Sequence, residues 1–222
     1  GFRGLARTNW YNDNHPIITS VSIHDISKRG AILETYSALG QVTGNFISSS
    51  PTSFISKSIM TYSDVLLSNK VYKISNTNTI ALNGLEGTST EVTSTFNNDN
   101  NPLTSSTLYK NGTTIEKTEN LSLTYYPTIV SGSSQFIGRL NKKNISTTHN
   151  SDTMTGEEIY TYNAANLVSN IQKKGNLTNY LNEDNLYDTF GNITQKKITA
   201  VGLTPRITNF VYDTSGRFLT SS

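Results

Sequence analysis

Apolar and polar residues alternate with a period of two along much of this chain, the pattern of strands that turn one face inward and one outward. Over residues 16–25, Ile17, Thr19, Val21 and Ile23 share one face, while Ile18, Ser20, Ser22 and His24 share the other. Val92, Ser94 and Phe96 alternate with Thr93 and Thr95, Leu121, Leu123 and Tyr125 alternate with Ser122 and Thr124, and Phe210 and Tyr212 flank Val211. The runs are short and are broken by turn residues. Asn111-Gly112 and Asn83-Gly84 each predict a two-residue hairpin turn, since both central positions take φ > 0, which Asn and Gly reach easily. One stretch competes for a helix. Over 163–175, Ala164, Ala165, Leu167, Val168 and Ile171 make an apolar stripe between a capping Asn163 and a terminating Gly175. The repeat spacing of the chain favours a turn followed by a strand there instead.

That spacing rests on tyrosines. Tyr187-Asp188-Thr189-Phe190-Gly191-Asn192 and Tyr212-Asp213-Thr214-Ser215-Gly216-Arg217 share Tyr-Asp, two free positions, Gly and a polar residue, and lie 25 residues apart. Another 25 residues upstream stands Tyr162-Asn163-Ala164-Ala165-Asn166-Leu167, with Asn163 in place of Asp and Asn166 in place of Gly. Asn is the residue that best replaces Gly in a left-handed conformation. Near the start, Tyr36 and Gly40 keep the Tyr-to-Gly spacing, 25 residues after Tyr11, and Phe96–Asn101 is a looser copy off the register. In such a unit the Tyr ends a strand and packs on its neighbour, Asp or Asn accepts hydrogen bonds from the turn backbone, and Gly or Asn takes the φ > 0 position. A unit of this length holds two strands of about eight to ten residues and two turns, which is one hairpin. The expected fold is therefore all-β, built of antiparallel β-hairpin repeats that are clearest over 160–222 and degenerate over 1–159.

Composition narrows the classes. Hydrophobic residues are 34% and charged residues 15% of the 222, with 32 Thr, 27 Ser and 26 Asn making up the difference. The 12 Tyr, 8 Phe and net charge of +2 argue against disorder, which goes with few aromatics and high charge. Lys and Arg are interspersed with acids, so nothing resembles a nucleic-acid footprint, and no apolar run approaches a membrane span. Without cysteine there is neither a disulfide scaffold nor a thiolate metal site.

Candidate chemistry is sparse. Glu157-Glu158 would point to opposite faces of a strand and reads as solvated hairpin residues, and Glu183-Asp184 reads as a turn. His15, His24 and His149 have no metal-ligand spacing, and no serine sits in a nucleophile elbow. Residues 97–101 and 12–14 are Asn- and Asp-rich but lack the ligand spacing of a calcium loop, so plain turns are expected. The five Asn-x-Ser/Thr sequons, at Asn111, Asn120, Asn144, Asn176 and Asn192, are no more than the abundance of Asn, Ser and Thr gives by chance. Trp10 and the tyrosines could line a sugar-binding surface, but tyrosines locked to a repeat register read as packing ladders. Neither an enzyme nor a cofactor site is expected.

The motifs YDTFGNIT (187–194) and YDTSGRFL (212–219), with the degenerate copy at Tyr162, resemble the YD repeat of the Rhs family. GFRGLA (1–6) and FIGRL (136–140) resemble the Rhs-like region of bacterial toxin B components such as those of insecticidal Tc complexes. The resemblance implies a curved antiparallel β-strip that forms part of a hollow shell around a C-terminal toxin or effector, secreted from or displayed on a bacterial cell. Implied partners are the rest of the shell, its effector, and secretion machinery or a cell-surface receptor. In the related teneurins the architecture serves adhesion, so a cell-surface adhesion or glycan- or protein-binding module is the alternative. The acidic, Pro-containing motif that closes the shell in relatives does not occur here. About nine hairpins at ~4.8 Å per strand make a strip near ~85 Å, or a ring roughly 27 Å across. A passenger of 100 residues is about 33 Å wide. The chain is thus expected to be a piece of the wall, with Tyr36, Gly40, Tyr162, Asn163, Asn166, Tyr187, Asp188, Gly191, Asn192, Tyr212, Asp213, Gly216 and Arg217 as its repeat-motif residues.

Overall fold

The computed structural model describes residues 5–12, 15–25, 30–39, 54–66, 72–131 and 134–221. Every regular element among them is a β-strand, as the alternating pattern requires. The chain divides into two compact units, Gly1–Glu119 and Asn120–Ser222.

In the first unit, β1 (Leu5–Asn12), β2 (His15–Asp25), β3 (Ala31–Leu39), β4 (Ser56–Leu66), β5 (Tyr72–Asn83), β6 (Thr88–Phe96) and β7 (Pro102–Asn111) pair antiparallel in chain order. Strand β8 (Thr114–Tyr125) follows and runs across the division. The best-buried apolar side chains of the described residues are Val21, Tyr36 and Ala38, at 2%, 3% and 4% exposure. They share a face, because Tyr36 stands opposite Val21 and Ala38 opposite Thr19.

The second unit begins with a short hairpin, β9 (Ile129–Ser131) and β10 (Ser134–Phe136). Its main sheet again follows chain order: β11 (Leu140–His149), β12 (Asp152–Tyr162), β13 (Val168–Lys174), β14 (Leu181–Tyr187), β15 (Ile193–Ala200) and β16 (Arg206–Asn209). A last hairpin, β17 (Val211–Tyr212) and β18 (Leu219–Ser221), pairs with itself. Residues 163–167 form a turn and β13 starts at Val168, so the apolar stripe of this stretch does not become a helix.

The polar composition has a structural use. Ser20 and Ser37, Ser94 and Ser105, Thr95 and Thr104, Thr148 and Thr153, Asn170 and Asp184, Gln172 and Asn182, and Gln195 and Asn209 are hydrogen-bonded pairs standing directly opposite each other on adjacent strands. Side-chain pairs of this kind supply cross-strand cohesion where little apolar surface is buried.

Several local expectations need correction. Asn83-Gly84 is not a tight turn. The loop runs from Gly84 to Gly87, and Gly87 takes the positive φ of 69°. Gly84 is required for another reason: a Cβ there would lie 2.0 Å from the carbonyl oxygen of Phe54. The Asn111-Gly112 hairpin does form, but its central residues are Gly112 and Thr113, and only Gly112, at φ 57°, is left-handed. That is the type II′ requirement and not the type I′ one. Asn150-Ser151, between β11 and β12, supplies the two-positive-φ turn, at 49° and 71°. Its sequence advertises this poorly, since Ser seldom adopts φ > 0. Tyr36 opens no turn, because Ser37, Ala38 and Leu39 continue the strand. Gly40, Gly1–Gly4 and Asp13-Asn14 lie outside the described residues.

Candidate functional site: the repeat turns and the Arg139 corner

The repeat tyrosines are set by strand ends. Tyr162 is the last residue of β12 and donates its hydroxyl to the carbonyl of Leu140, the first residue of β11, at 3.1 Å. Tyr187 is the last of β14 and donates to Val168, the first of β13, at 2.6 Å. Each phenol therefore ties the closing end of one strand to the opening end of the strand before it. Burial raises the pKa of both hydroxyls, so they remain donors throughout the neutral range. Tyr212 ends β17, where it pairs with Leu219.

After each tyrosine the chain makes the same turn. Asp188 N–H donates to the Asn192 carbonyl at 3.0 Å, and Gly191 N–H returns to the Asp188 carbonyl at 3.2 Å. Asp188 Oδ1 accepts from Phe190 N–H and Asn192 N–H, both at 2.9 Å. Asn163 repeats the scheme with Leu167, Asn166 and Ala165, its Oδ1 accepting two bonds of 3.0 Å. Asp213 repeats it with one residue more, closing on Phe218. Arg217 enters through its backbone N–H, at 2.9 Å from Asp213 Oδ1. The fourth residue is left-handed each time: Asn166 at 61°, Gly191 at 89° and Gly216 at 67°. The off-register segment at 96–101 makes this turn as well. Asn97 Oδ1 accepts from Asp99 and Asn101 N–H, and Asn100 sits at φ 60°.

In the second unit these turns touch one another. A Cβ at Gly191 would lie 3.7 Å from Leu167 Cδ1 of the turn before, and one at Gly216 would lie 2.4 Å from the Phe190 ring. Asn192 Nδ2 donates to the Gly216 carbonyl at 2.8 Å and to Asp188 Oδ2 at 3.0 Å. Gly216 is thus needed both for its dihedral and for its missing side chain, whereas Gly191 is needed for its dihedral alone.

Arg139, the cation of the FIGRL stretch, anchors the first of these turns. Its Nη1 donates to Asn166 Oδ1 at 3.0 Å and its Nη2 to the Pro127 carbonyl at 3.1 Å. The guanidinium lies 5.5 Å from the Tyr126 ring and 5.6 Å from the Tyr162 ring, close enough for cation–π attraction. Those rings meet edge to face, with centroids 5.7 Å apart. Tyr126 hydroxyl reaches the Tyr160 carbonyl at 3.0 Å, and Tyr126 N–H donates to the Arg139 carbonyl at 2.9 Å. An open hollow beside this corner is lined by Ile129, Phe136 and residues 162–166. Sequence reasoning assigned Arg139 and Tyr126 no contact. Their hydrogen-bond partners lie up to 34 residues away, and no local pattern announces them.

The carboxylates are structural partners of lysines. Glu157 and Glu158 point to opposite faces of β12, as expected, but neither is simply solvated. Glu157 binds Lys142, Lys174 and the Tyr180 hydroxyl, and its side chain is 14% exposed. The Lys142 bond, followed by that from Tyr180, lowers its pKa to about 2. On the other face Lys143, Glu158 and Lys173 stand in one row, opposite one another across β11, β12 and β13. Glu183 continues the alternation, 3.7 Å from Lys173 and 2.8 Å from Lys196. Glu183 and Asp184 lie within β14, not in a turn, because each has a cross-strand partner to face. The Tyr160 hydroxyl, and after it Lys143, lowers the pKa of Glu158, and Lys196 lowers that of Glu183. Desolvation pushes Asp188 up but is outweighed by the Asn192 amide and the turn N–H groups, and the Ser215 hydroxyl with turn N–H groups lowers the pKa of Asp213. A general acid at neutral pH needs the opposite displacement.

His24 donates from Nδ1 to the Gly30 carbonyl oxygen of its own hairpin, at 2.8 Å. No helix among the described residues is long and apolar enough to cross a membrane. Comparison of the chain with protein-family models and with curated proteins gives no match.

Proposed function

We propose that the chain is a structural β-repeat segment of a large secreted or cell-surface bacterial protein of the Rhs type, whose shell encloses and helps deliver a C-terminal toxin or effector. The observation that carries this reading is the set of three turns at Asn163, Asp188 and Asp213. They are spaced by 25 residues, share an Asn or Asp that accepts turn N–H bonds and a left-handed fourth residue, with the Asp213 turn one residue longer, and interlock through Leu167, Phe190 and Asn192. Such turns add one hairpin at a time, which is what a wall assembled from repeats requires. Their agreement with the YD motif supports the family assignment. The committed carboxylates support a role in holding strands in register. The partners on this reading are the remaining shell and its passenger, with export machinery or a receptor acting on the assembled protein.

The test is the intact mass of the native polypeptide, followed by limited proteolysis. A chain much larger than 24.4 kDa with a protease-protected C-terminal fragment is the expected result. A mature protein near 24.4 kDa with nothing protected removes the passenger and leaves the adhesion reading in its place.

A further inference from the structure

The two Asn-Gly pairs, Asn83-Gly84 and Asn111-Gly112, have the same covalent structure and opposite surroundings. An Asn followed by Gly can cyclise: the Gly nitrogen attacks the Asn side-chain carbonyl carbon, a C–N bond forms, and the amide nitrogen leaves as ammonia. Water then opens the resulting succinimide at either carbonyl, giving aspartate or isoaspartate. The reaction needs an amide free to rotate over the following backbone nitrogen and room for the backbone to bend toward it.

Asn83 has neither. Its Oδ1 accepts from Leu85 N–H at 3.0 Å and from Glu86 N–H at 3.3 Å, while its Nδ2 donates to Glu86 Oε2 at 2.9 Å. Gly84 N–H donates to the Ile55 carbonyl at 2.9 Å, and the Gly84 Cα is pressed against the backbone of Phe54. Asn111 is exposed and makes no side-chain hydrogen bond within the described residues. Gly112 has nothing within 4 Å of its Cβ position, and its N–H makes a longer bond, 3.2 Å, to the carbonyl of exposed Gly87.

From this contrast we infer that Asn111 is a site of spontaneous deamidation in the folded protein and that Asn83 is protected. The isoaspartyl product routes the chain through the side-chain carbon. It therefore adds a methylene to the two-residue turn that sets the register of β7 against β8. The inference stands apart from the shell reading and holds or fails whichever protein the segment belongs to.

The test is peptide mapping by mass spectrometry after incubating the folded chain in mildly alkaline buffer, with the urea-unfolded chain in parallel. Both pairs should deamidate at similar rates in urea. In the folded chain Asn111 should convert at least about tenfold faster than Asn83, since releasing even one hydrogen bond of ordinary strength is worth a factor of that order. Asn111→Gln should abolish the product at that peptide. Conversion at Asn83 as fast as at Asn111 in the folded chain would overturn the inference. So would a folded chain in which neither converts while both convert in urea.

Discussion

Asn97 in the first unit and Asp188 in the second each accept two backbone N–H bonds at 2.9–3.0 Å and hold the fourth turn residue at positive φ. Their surroundings differ. The side chain following Asn97, Asn98, is held by Lys73, and no second turn of this kind touches it among the described residues. The Asp188 turn receives Leu167 from the turn before and sends Phe190 and Asn192 to the turn after. Burial differs too. The first unit hides Val21, Tyr36 and Ala38, whereas Asn185, at 6%, is the best-buried described side chain of the second, and Leu177, Val201 and Leu203 are 70–78% exposed. With no buried apolar side chain among its described residues, the second unit is held by turns, phenol hydroxyls and alternating charges that repeat along it. Among the described residues, this turn is a local device in one region and a link in a chain of contacts in the other.

The sharpest way to break that chain is Gly216→Val. It combines a β-branched residue at φ 67° with a Cβ placed 2.4 Å from the Phe190 ring. A loss of at least about 3 kcal/mol in urea unfolding is expected. Gly191→Val meets only the dihedral penalty, about 2 kcal/mol. Adding Phe190→Ala should recover part of the loss at 216 and none at 191.

Arg139→Ala removes two hydrogen bonds and two cation–π contacts, with an expected cost of about 2–3 kcal/mol. Arg139→Lys should rescue little, because one ammonium cannot span Asn166 and Pro127 while lying against both rings. Tyr187→Phe deletes the bond to Val168 and should cost about 1 kcal/mol in the same assay.

Acid should act mainly on the second unit and most gently of all. Carboxylates with lowered native pKa stabilise the fold above their unfolded values. That contribution is lost as pH falls through the native ones. For Glu157, whose native pKa is about 2, the loss spreads over roughly pH 5 to 2. The urea midpoint should decline across that window, and Glu157→Gln should make the decline shallower.

Much of this was legible in the sequence for physical reasons. The turn and strand over 163–174 follow from the spacing of Tyr162, Tyr187 and Tyr212, even though Ala164 through Ile171 would suit a helix. The Asx and left-handed positions of each turn follow from the chemistry of Asp, Asn and Gly. Long-range contacts were not legible. Nothing near Gly84 in the chain reveals that Phe54 presses on it, and nothing near Arg139 reveals Asn166. Tyr36 kept the motif spacing and still lies within a strand, since one tyrosine and one glycine carry too little information without the Asx residue between them. The Asn97 turn shows the converse: the Asx and left-handed positions suffice to make the turn, and neither the tyrosine nor the register is required.

Amide hydrogen exchange on Asp188→Ala, with Asn97→Ala beside it, tests the central claim most directly. If the turns of the second unit form one connected structure, Asp188→Ala will release protection at residues 163–167 and 213–218 as well as at 188–192. Asn97→Ala will release it only at 97–101. Loss confined to 188–192 in the first variant would contradict the account and reduce the repeat to three independent turns.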